Sequence, residues 1–219
     1  MTMRKWAGSV LFTAAGAAAV VGMTVGPALA STSLTVKVSH GGSYTATAKK
    51  TVLSDNNVAV TCSDKGKTPS SKASGKLSNG THRGKAPVSL GQVSSLAFNN
   101  CSGPLGPVKT KVQAKPTLKA DSKTNSKGDT DAVITGVKVS VSMTDCSFTV
   151  TGSVPGYYSN KTHTLTMTSH KLPVKALTKA QLTVSGVPAG ECGGLVNNGD
   201  HPTYNASYTV SRKVVIKSS

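Results

Sequence analysis

Apolar and polar residues alternate one by one along many short segments of this chain. A period of two is the spacing of a β-strand with one buried face, because successive side chains point to opposite faces. Threonine, valine and serine dominate these segments, and apolar residues at helical spacing are scarce. The clearest segments are 34–38, 58–62, 137–143, 148–150, 165–167 and 208–210.

Glycine, proline, asparagine and aspartate separate these segments and predict turns. They occur at 40–43, 55–57, 79–80, 103–104, 155–156 and 198–200. Many short strands at nearly even spacing predict an all-β fold, either an antiparallel β-sandwich or a barrel-like architecture. The polar segment 116–129 is either a linker between two cysteine-paired halves, 31–115 and 130–219, or a long loop within one domain.

The first 30 residues have the pattern of a secretory signal peptide. Arg4 and Lys5 precede a long apolar stretch, and small residues at 28 and 30 predict cleavage after Ala30. The Gly26-Pro27 pair is less suited to a continuing membrane helix. We therefore expect a secreted mature chain, 31–219, that is extracellular or associated with the cell envelope and has no transmembrane segment after cleavage.

All four cysteines, Cys62, Cys101, Cys146 and Cys192, lie in this mature chain. An exported chain reaches an oxidising compartment where thiols pair, so we expect two structural disulfides. Three pairings are open. We favour Cys62 with Cys101 and Cys146 with Cys192, because each bond then ties strands within one half of the chain. Since no Cys-x-x-Cys or Cys-x-x-His spacing occurs, we expect no metal site and no cofactor.

Five short motifs carry a resemblance to known proteins: VTCSDKG, ASGKLSNGT, FNNCSGPLG, MTDCSFTVTG and GGLVNNGDHPTYNASYTV. In these motifs the chain resembles a group of uncharacterised secreted, β-rich, four-cysteine proteins of high-GC Gram-positive bacteria. The resemblance spans most of the mature chain and implies a secreted protein with a β fold. It implies no catalytic residue, ligand or reaction, because the motifs are strand and turn patterns around the cysteines.

The chain is strongly basic, with a formal net charge of +17, which becomes +15 when Arg4 and Lys5 are removed. Such a charge attracts polyanions, including anionic cell-wall polymers and acidic polysaccharides. Only Arg83 and Arg212 are arginines in the mature chain, so we expect diffuse attraction by lysines and no shaped phosphate pocket. The alternative is that the lysines only keep the sheets soluble and guard their edges. No aromatic platform accompanies the cations, so a dedicated nucleic-acid site is not expected.

Residue patterns of known catalysts are scarce in this chain. Neither a Gly-x-Ser-x-Gly elbow nor a His-Glu-x-x-His helix occurs. We therefore expect a non-enzymatic protein and no catalytic residue. Two alternatives remain: a secreted hydrolase whose triad is assembled from distant segments, and a secreted inhibitor or binder of another protein that presents the loop 103–107. The histidines available to a triad are His40, His82, His163, His170 and His201.

Two further groups of residues raise binding hypotheses. Tyr157, Tyr158, Tyr204 and Tyr208 would form a carbohydrate-stacking surface if they faced one side, or else they cap the core with their hydroxyls in water. The segment 121–131 superficially suggests a calcium loop. Lysines stand where oxygen ligands are needed and no bidentate acid closes it, so we expect a solvated turn there.

Overall fold

The computed structural model describes residues 33–55, 58–168, 172 and 180–219. All of them belong to one compact unit, Ser31–Ser219. The predicted signal peptide, 1–30, and the candidate triad residue His170 lie outside the described residues.

Almost every element in the described residues is an antiparallel β-strand, which confirms the predicted fold class. One 3-10 helix, η1 (Cys192–Gly194), interrupts the strands. The strands are β1 (Ser33–Ser39), β2 (Gly42–Asp55), β3 (Val58–Ser63), β4 (Ser71–Leu77), β5 (Gly80–Lys85), β6 (Val88–Phe98), β7 (Cys101–Gly103), β8 (Gly106–Val112), β9 (Thr117–Ala120), β10 (Asp129–Met143), β11 (Cys146–Ser159), β12 (Thr164–Met167), β13 (Leu182–Ser185), β14 (Thr203–Val210) and β15 (Val215–Ser218).

Eight of these strands pair in a closed ring. Its order is β2, β4, β6, β9, β10, β11, β12 and β14, and β14 pairs again with β2. Strands β3, β7 and β8 form a second path between β2 and β10, because these two strands are long enough to pair with a different neighbour in each half. Of the two predicted architectures, β-sandwich and barrel-like, the closed ring matches the barrel-like one.

A separate three-stranded sheet, in the order β15-β1-β5, contributes to the same apolar core. Leu34, Val36 and Val38 of its central strand are buried, as the alternating pattern predicts. Asn160, between β11 and β12, joins this sheet to the ring. Its Oδ1 accepts a hydrogen bond from the backbone N–H of Ile216 at 2.8 Å, and its Nδ2 donates to the Ile216 carbonyl at 2.7 Å.

Both disulfides have the favoured pairing, which is therefore confirmed. Cys62 and Cys101 lie directly opposite each other in the short β3–β7 ladder. Cys146, the first residue of β11, bonds to Cys192 in η1 and so ties the loop 186–202 to the start of β11. All four half-cystines are buried.

The turn predicted at 155–156 is wrong, because Pro155 and Gly156 lie inside β11. The carbonyl of Pro155 accepts a hydrogen bond from the Thr168 N–H at 3.0 Å, so this proline still joins a neighbouring chain segment without an N–H of its own. Gly156 is required by a close approach, since a Cβ there would lie 2.3 Å from the Thr166 carbonyl oxygen.

The polar segment 116–129 takes part in the ring. It contributes β9, which pairs with β6 on one edge and with β10 on the other. Strands of the two cysteine-paired halves also pair with each other, as β2 does with β14 and β8 with β10. The expected solvated turn at 121–131 is wrong at both ends, because Asp121 and Asp131 are only 2% and 0% exposed.

Within the part of the chain that the structure describes, no helix has the length and apolar character needed to cross a membrane.

Candidate functional site

The interior of the ring contains an apolar cavity of about 110 Å³. Small residues face each other across neighbouring strands there. Ala46 of β2 lies directly opposite Ala73 of β4, and the next inward pair is Tyr44 with Gly75. Because the facing positions 46 and 73 carry only alanine, the wall leaves room inside. We call this space the interior cavity.

Half-buried side chains also line the interior cavity. Leu96 and Phe98 come from the end of β6, and Val137 comes from the middle of β10. The Phe98 ring packs edge-to-face against Tyr204, with ring centroids 6.1 Å apart and an interplanar angle of 77°. The lining is almost entirely apolar, so the cavity offers an environment for an uncharged apolar group.

A chain of buried hydroxyls runs along one side of the interior. The hydroxyls of Tyr204 and Tyr208 are 2.7 Å apart, and that of Tyr208 is 2.8 Å from Ser71 Oγ. Ser71 in turn donates to the Ala97 carbonyl at 2.9 Å. Burial raises the pKa of Tyr208, and burial together with the neighbouring Tyr208 holds the pKa of Tyr204 well above its usual range. These tyrosines are therefore neutral, and their polar atoms bond to one another instead of pointing into the cavity.

The four tyrosines of the hypothesised ligand surface do not share one face. Tyr158, Tyr204 and Tyr208 point inward, and the Tyr158 hydroxyl donates to the Val214 carbonyl at 2.8 Å. Tyr157 is half-buried on the outer face, in a shallow groove that Lys50 and polar residues of β12 and β14 also line. Adjacent residues of a strand must point to opposite sides, so Tyr157 and Tyr158 are separated by the geometry of β11 itself.

The outer face of the three-stranded sheet carries four exposed cations: Lys37, Arg83, Lys85 and Lys217. We call these four residues the basic face. Lys37 of β1 lies directly opposite Lys217 of β15. On its other side, Arg83 pairs with Thr35 and is therefore diagonal to Lys37. The three strands contain no acidic residue, so no side chain of these strands neutralises the basic face.

Four of the chain's carboxylates, none of them on the three-stranded sheet, are buried or hydrogen-bonded locally. Asp121 and Asp131 are buried. An Oδ2 of Asp200 accepts from the Asn197 N–H at 2.7 Å, and Glu191 Oε2 accepts from the Ser147 hydroxyl at 3.1 Å. By contrast, nearly all lysines in the described residues are exposed.

A second shallow groove contains the cations Lys76 and Arg212 with several serine and threonine hydroxyls. Arg212 is committed to the protein itself. Its Nε donates to the Ser43 carbonyl at 2.7 Å, and an Nη donates to the Gly41 carbonyl at 3.2 Å. The groove thus resembles a solvated surface more than a shaped pocket for a phosphate.

Three of the four described histidines, His82, His163 and His201, use a ring nitrogen in a local contact, and the fourth, His40, is exposed in the turn between β1 and β2. His82 Nε2 lies 2.9 Å from the Ser78 carbonyl, and His201 Nδ1 lies 3.0 Å from the Leu182 carbonyl. His163 Nδ1 is 3.4 Å from the Tyr158 hydroxyl. Where both partners are described residues, no hydrogen bond joins a histidine to a carboxylate. The loop 103–107 of the inhibitor hypothesis is a tight hairpin, since Gly103 at the end of β7 pairs with Gly106 at the start of β8.

No family model matches this chain, and neither a curated protein nor a solved structure matches it at significant similarity. The resemblance drawn from the five sequence motifs therefore stays a prediction.

Sequence reasoning missed the two features that stand out in the structure. The basic face depends on the pairing of β1 with β15, and the interior cavity depends on which small residues meet across β2 and β4. A signal for the cavity was present in the composition, since only 4% of the residues are aromatic. The location of the cavity could not be predicted, because it depends on the register of the strands.

Proposed function

We propose that this chain is a secreted, non-enzymatic β protein of the extracellular space or cell envelope that associates electrostatically with anionic surface polymers. The observation that carries the proposal is the basic face, where four cations share one side of a sheet without an acidic residue. The two disulfides support the expected extracellular or envelope localisation, because disulfides persist in oxidising compartments.

The position of Lys37 opposite Lys217 supports a role in binding for the positive charge of the basic face. Like charges directly opposite each other in a sheet are destabilising, by a few tenths of a kcal/mol up to about 1 kcal/mol. Solubility alone does not require such a pair, because a lysine opposite a serine or threonine serves equally well. An anionic polymer lying across the strands would neutralise both lysines and remove the repulsion.

The geometry suits a polymer better than a small anion. Neighbouring residues on one face of a strand, such as Arg83 and Lys85, are separated by about 7 Å. The cations therefore form a row of separate contacts and not a closed pocket. Attraction of this kind is non-specific and is screened when the Debye length falls from about 10 Å at 0.1 M salt to about 3 Å at 1 M.

Retention of the mature chain on purified cell wall, measured across a salt series, tests the proposal. We expect retention at low salt and release as the salt concentration rises. A triple variant, Lys37→Gln with Arg83→Gln and Lys217→Gln, should elute at clearly lower salt than the wild type. No retention even at low salt would remove the polymer-binding part of the proposal.

A matched control removes three cations elsewhere. Lys109, Lys111 and Lys138 are exposed on the outer face of β8 and β10, where Lys109 and Lys111 lie opposite serines. Replacing all three with glutamine changes the net charge by the same amount and should lower the elution salt less. Equal shifts for the two triple variants would show that net charge, and not the basic face, determines retention.

A further inference from the structure

We propose that the interior cavity is a binding site for a compact, uncharged apolar molecule, of the size of a single aromatic ring or a short alkyl chain. This inference is independent of the electrostatic function, because it concerns the inside of the ring and a ligand without charge. It rests on the volume of the cavity, its lining and the construction of its wall.

The size of the space follows from the number of strands and the side chains that point inward. A ring of eight antiparallel strands encloses an interior that side chains can just fill or that can hold one small ligand. Here Ala46 lies opposite Ala73, and Tyr44 lies over Gly75. At position 75 the Gln92 carbonyl and the Tyr44 side chain already occupy the space that a Cβ would take, so the free volume lies beside the two alanines and not at this glycine. Two alanines on facing strands leave the interior underfilled.

The volume is in the range that holds a small apolar molecule. An interior cavity of roughly 150 Å³ lined by aliphatic and aromatic side chains stays dry and binds benzene or xenon in another protein. The interior cavity measures about 110 Å³. An empty apolar space of this size costs stability, because the side chains around it lose dispersion contacts. A ligand that fills it restores these contacts without burying a charge.

The lining selects against polar and charged ligands. The buried hydroxyls of Tyr204, Tyr208 and Ser71 bond to one another and to a backbone carbonyl, so their hydrogen-bonding capacity is largely used. A ligand carboxylate or amine would find no charged partner among the residues that line the cavity. Burying such a group without a partner costs several kcal/mol. The site therefore favours hydrocarbon character.

The wall also contains a division between two paths of strands. Between β2 and β10 the strands follow two separate paths, and in the described residues no ladder joins β6 of the first path to β8 of the second. Leu96 and Phe98 of β6 line the cavity and remain half-buried, and so does Val137, which lies on β10 between its β9 and β8 ladders. Entry at this division would require these side chains to move, but it would leave the strand ladders and the 2.8 Å hydrogen bond from the Val93 N–H to the Pro116 carbonyl in place.

The test is a titration of the mature, disulfide-bonded chain with benzene, followed by methyl NMR. We expect saturable shifts at Val139 and Leu165, which line the cavity, and none at Val36, which is buried outside it. Bound ligand should also raise the unfolding midpoint, by about 3–6 °C at ten times the dissociation constant. Absence of saturable shifts at Val139 and Leu165 would overturn the inference.

Ala73→Leu places three additional carbons in the cavity and should weaken benzene binding at least tenfold. Ala97→Leu is the matched control, because it adds the same atoms on the exposed side of β6, between Leu96 and Phe98, and should bind as the wild type does. If the Ala73 variant does not fold, Ala46→Val is a smaller filling change from the opposite strand. Undiminished binding by a folded cavity-filling variant would place the ligand elsewhere and refute the site.

Two further arms define the ligand and separate this site from the surface. n-Hexane in place of benzene tests the alkyl part of the proposal: we expect the same methyl shifts, and their absence would restrict the ligand to a single aromatic ring. Benzoate should not shift the Val139 and Leu165 methyls, and if it does, the selection for uncharged ligands is wrong. Benzene binding should not change with salt, whereas retention on cell wall should. Benzene binding in the cavity and retention on cell wall can therefore each be refuted without affecting the other.

Discussion

Replacing Cys62 and Cys101 together with alanine removes the bond between β3 and β7 without creating a free thiol. The two cysteines are 39 residues apart, and closing a loop of that length in the unfolded chain corresponds to about 4 kcal/mol in the chain-entropy model. The two sulfur atoms are also buried, and losing their contacts adds to this figure. We expect the free energy of unfolding to fall by about 4 kcal/mol.

The same calculation for Cys146 and Cys192, which are 46 residues apart, gives nearly the same value of about 4 kcal/mol. The structure nevertheless predicts different behaviour. Cys62 and Cys101 join two strands that also pair with other strands, whereas Cys192 lies in the loop 186–202, where η1 is the only regular element in the described residues. Loss of the second bond should therefore free this loop while the ring persists.

Urea unfolding followed by circular dichroism measures both free energies, with the slope of the transition as a check on the unfolded state. Limited proteolysis then separates the variants. Only the Cys146→Ala/Cys192→Ala protein should be cleaved rapidly within 186–202. A loss below about 1 kcal/mol for both double variants, with unchanged slopes, would refute the reasoning, since it would mean that the strand pairings alone hold the fold.

Three other perturbations have defined outcomes. Tyr208→Phe removes the middle member of the buried hydroxyl chain and should lower the free energy of unfolding by about 1–3 kcal/mol in urea denaturation; an unchanged midpoint would show that its neighbours re-pair at no cost. Burial raises the pKa of Tyr44 and Tyr158 to about 12, above the unfolded value of about 10. The stability that these tyrosines contribute is therefore complete below about pH 10 and is lost as the pH rises towards 12, by about 1.4 kcal/mol per pH unit for each tyrosine. Urea unfolding at several alkaline pH values measures this loss, and a free energy of unfolding that does not change with pH would contradict it. Gly91→Ala would place a Cβ 2.1 Å from a backbone carbonyl of β4 and should lower the free energy of unfolding by roughly 1–3 kcal/mol. Gly84→Ala is the control, because the space around Gly84 is open, and it should change the midpoint of thermal unfolding little. Similar midpoints for the two variants would argue against the close approach of β4 and β6.

The strands themselves were predictable, because a strand that is buried on one face has apolar and polar residues in alternation. The segment 34–38 became β1, and 58–62 became β3, nearly as the pattern indicated. The favoured disulfide pairing was correct, but the sequence left three pairings open, and the second bond joins β11 to η1 instead of to another strand. Turn residues were less reliable, because Pro155 and Gly156 serve a close strand approach in the middle of β11.

The order of strands in the ring was not predictable in the same way. An alternating pattern states which side of a strand is buried but not which strand lies beside it. Nothing in 42–55 indicates that β2 will pair with β14 on one edge and with both β4 and β3 on the other. The interior cavity and the basic face share this limit, because each is defined by residues that meet only through register.

The pairing of β2 with β14 has a consequence for the kinetics of folding. Ser54 and Thr203, whose hydroxyls meet at 3.0 Å, are 149 residues apart in the chain. Contacts between such distant segments slow folding, because the entropy of closing a long loop is lost before the contact forms. Local hairpins such as β10–β11 should therefore form first. Until the final pairing is made, β2 and β14 present unpaired edges on which two incomplete molecules can join, so aggregation during refolding should increase with protein concentration.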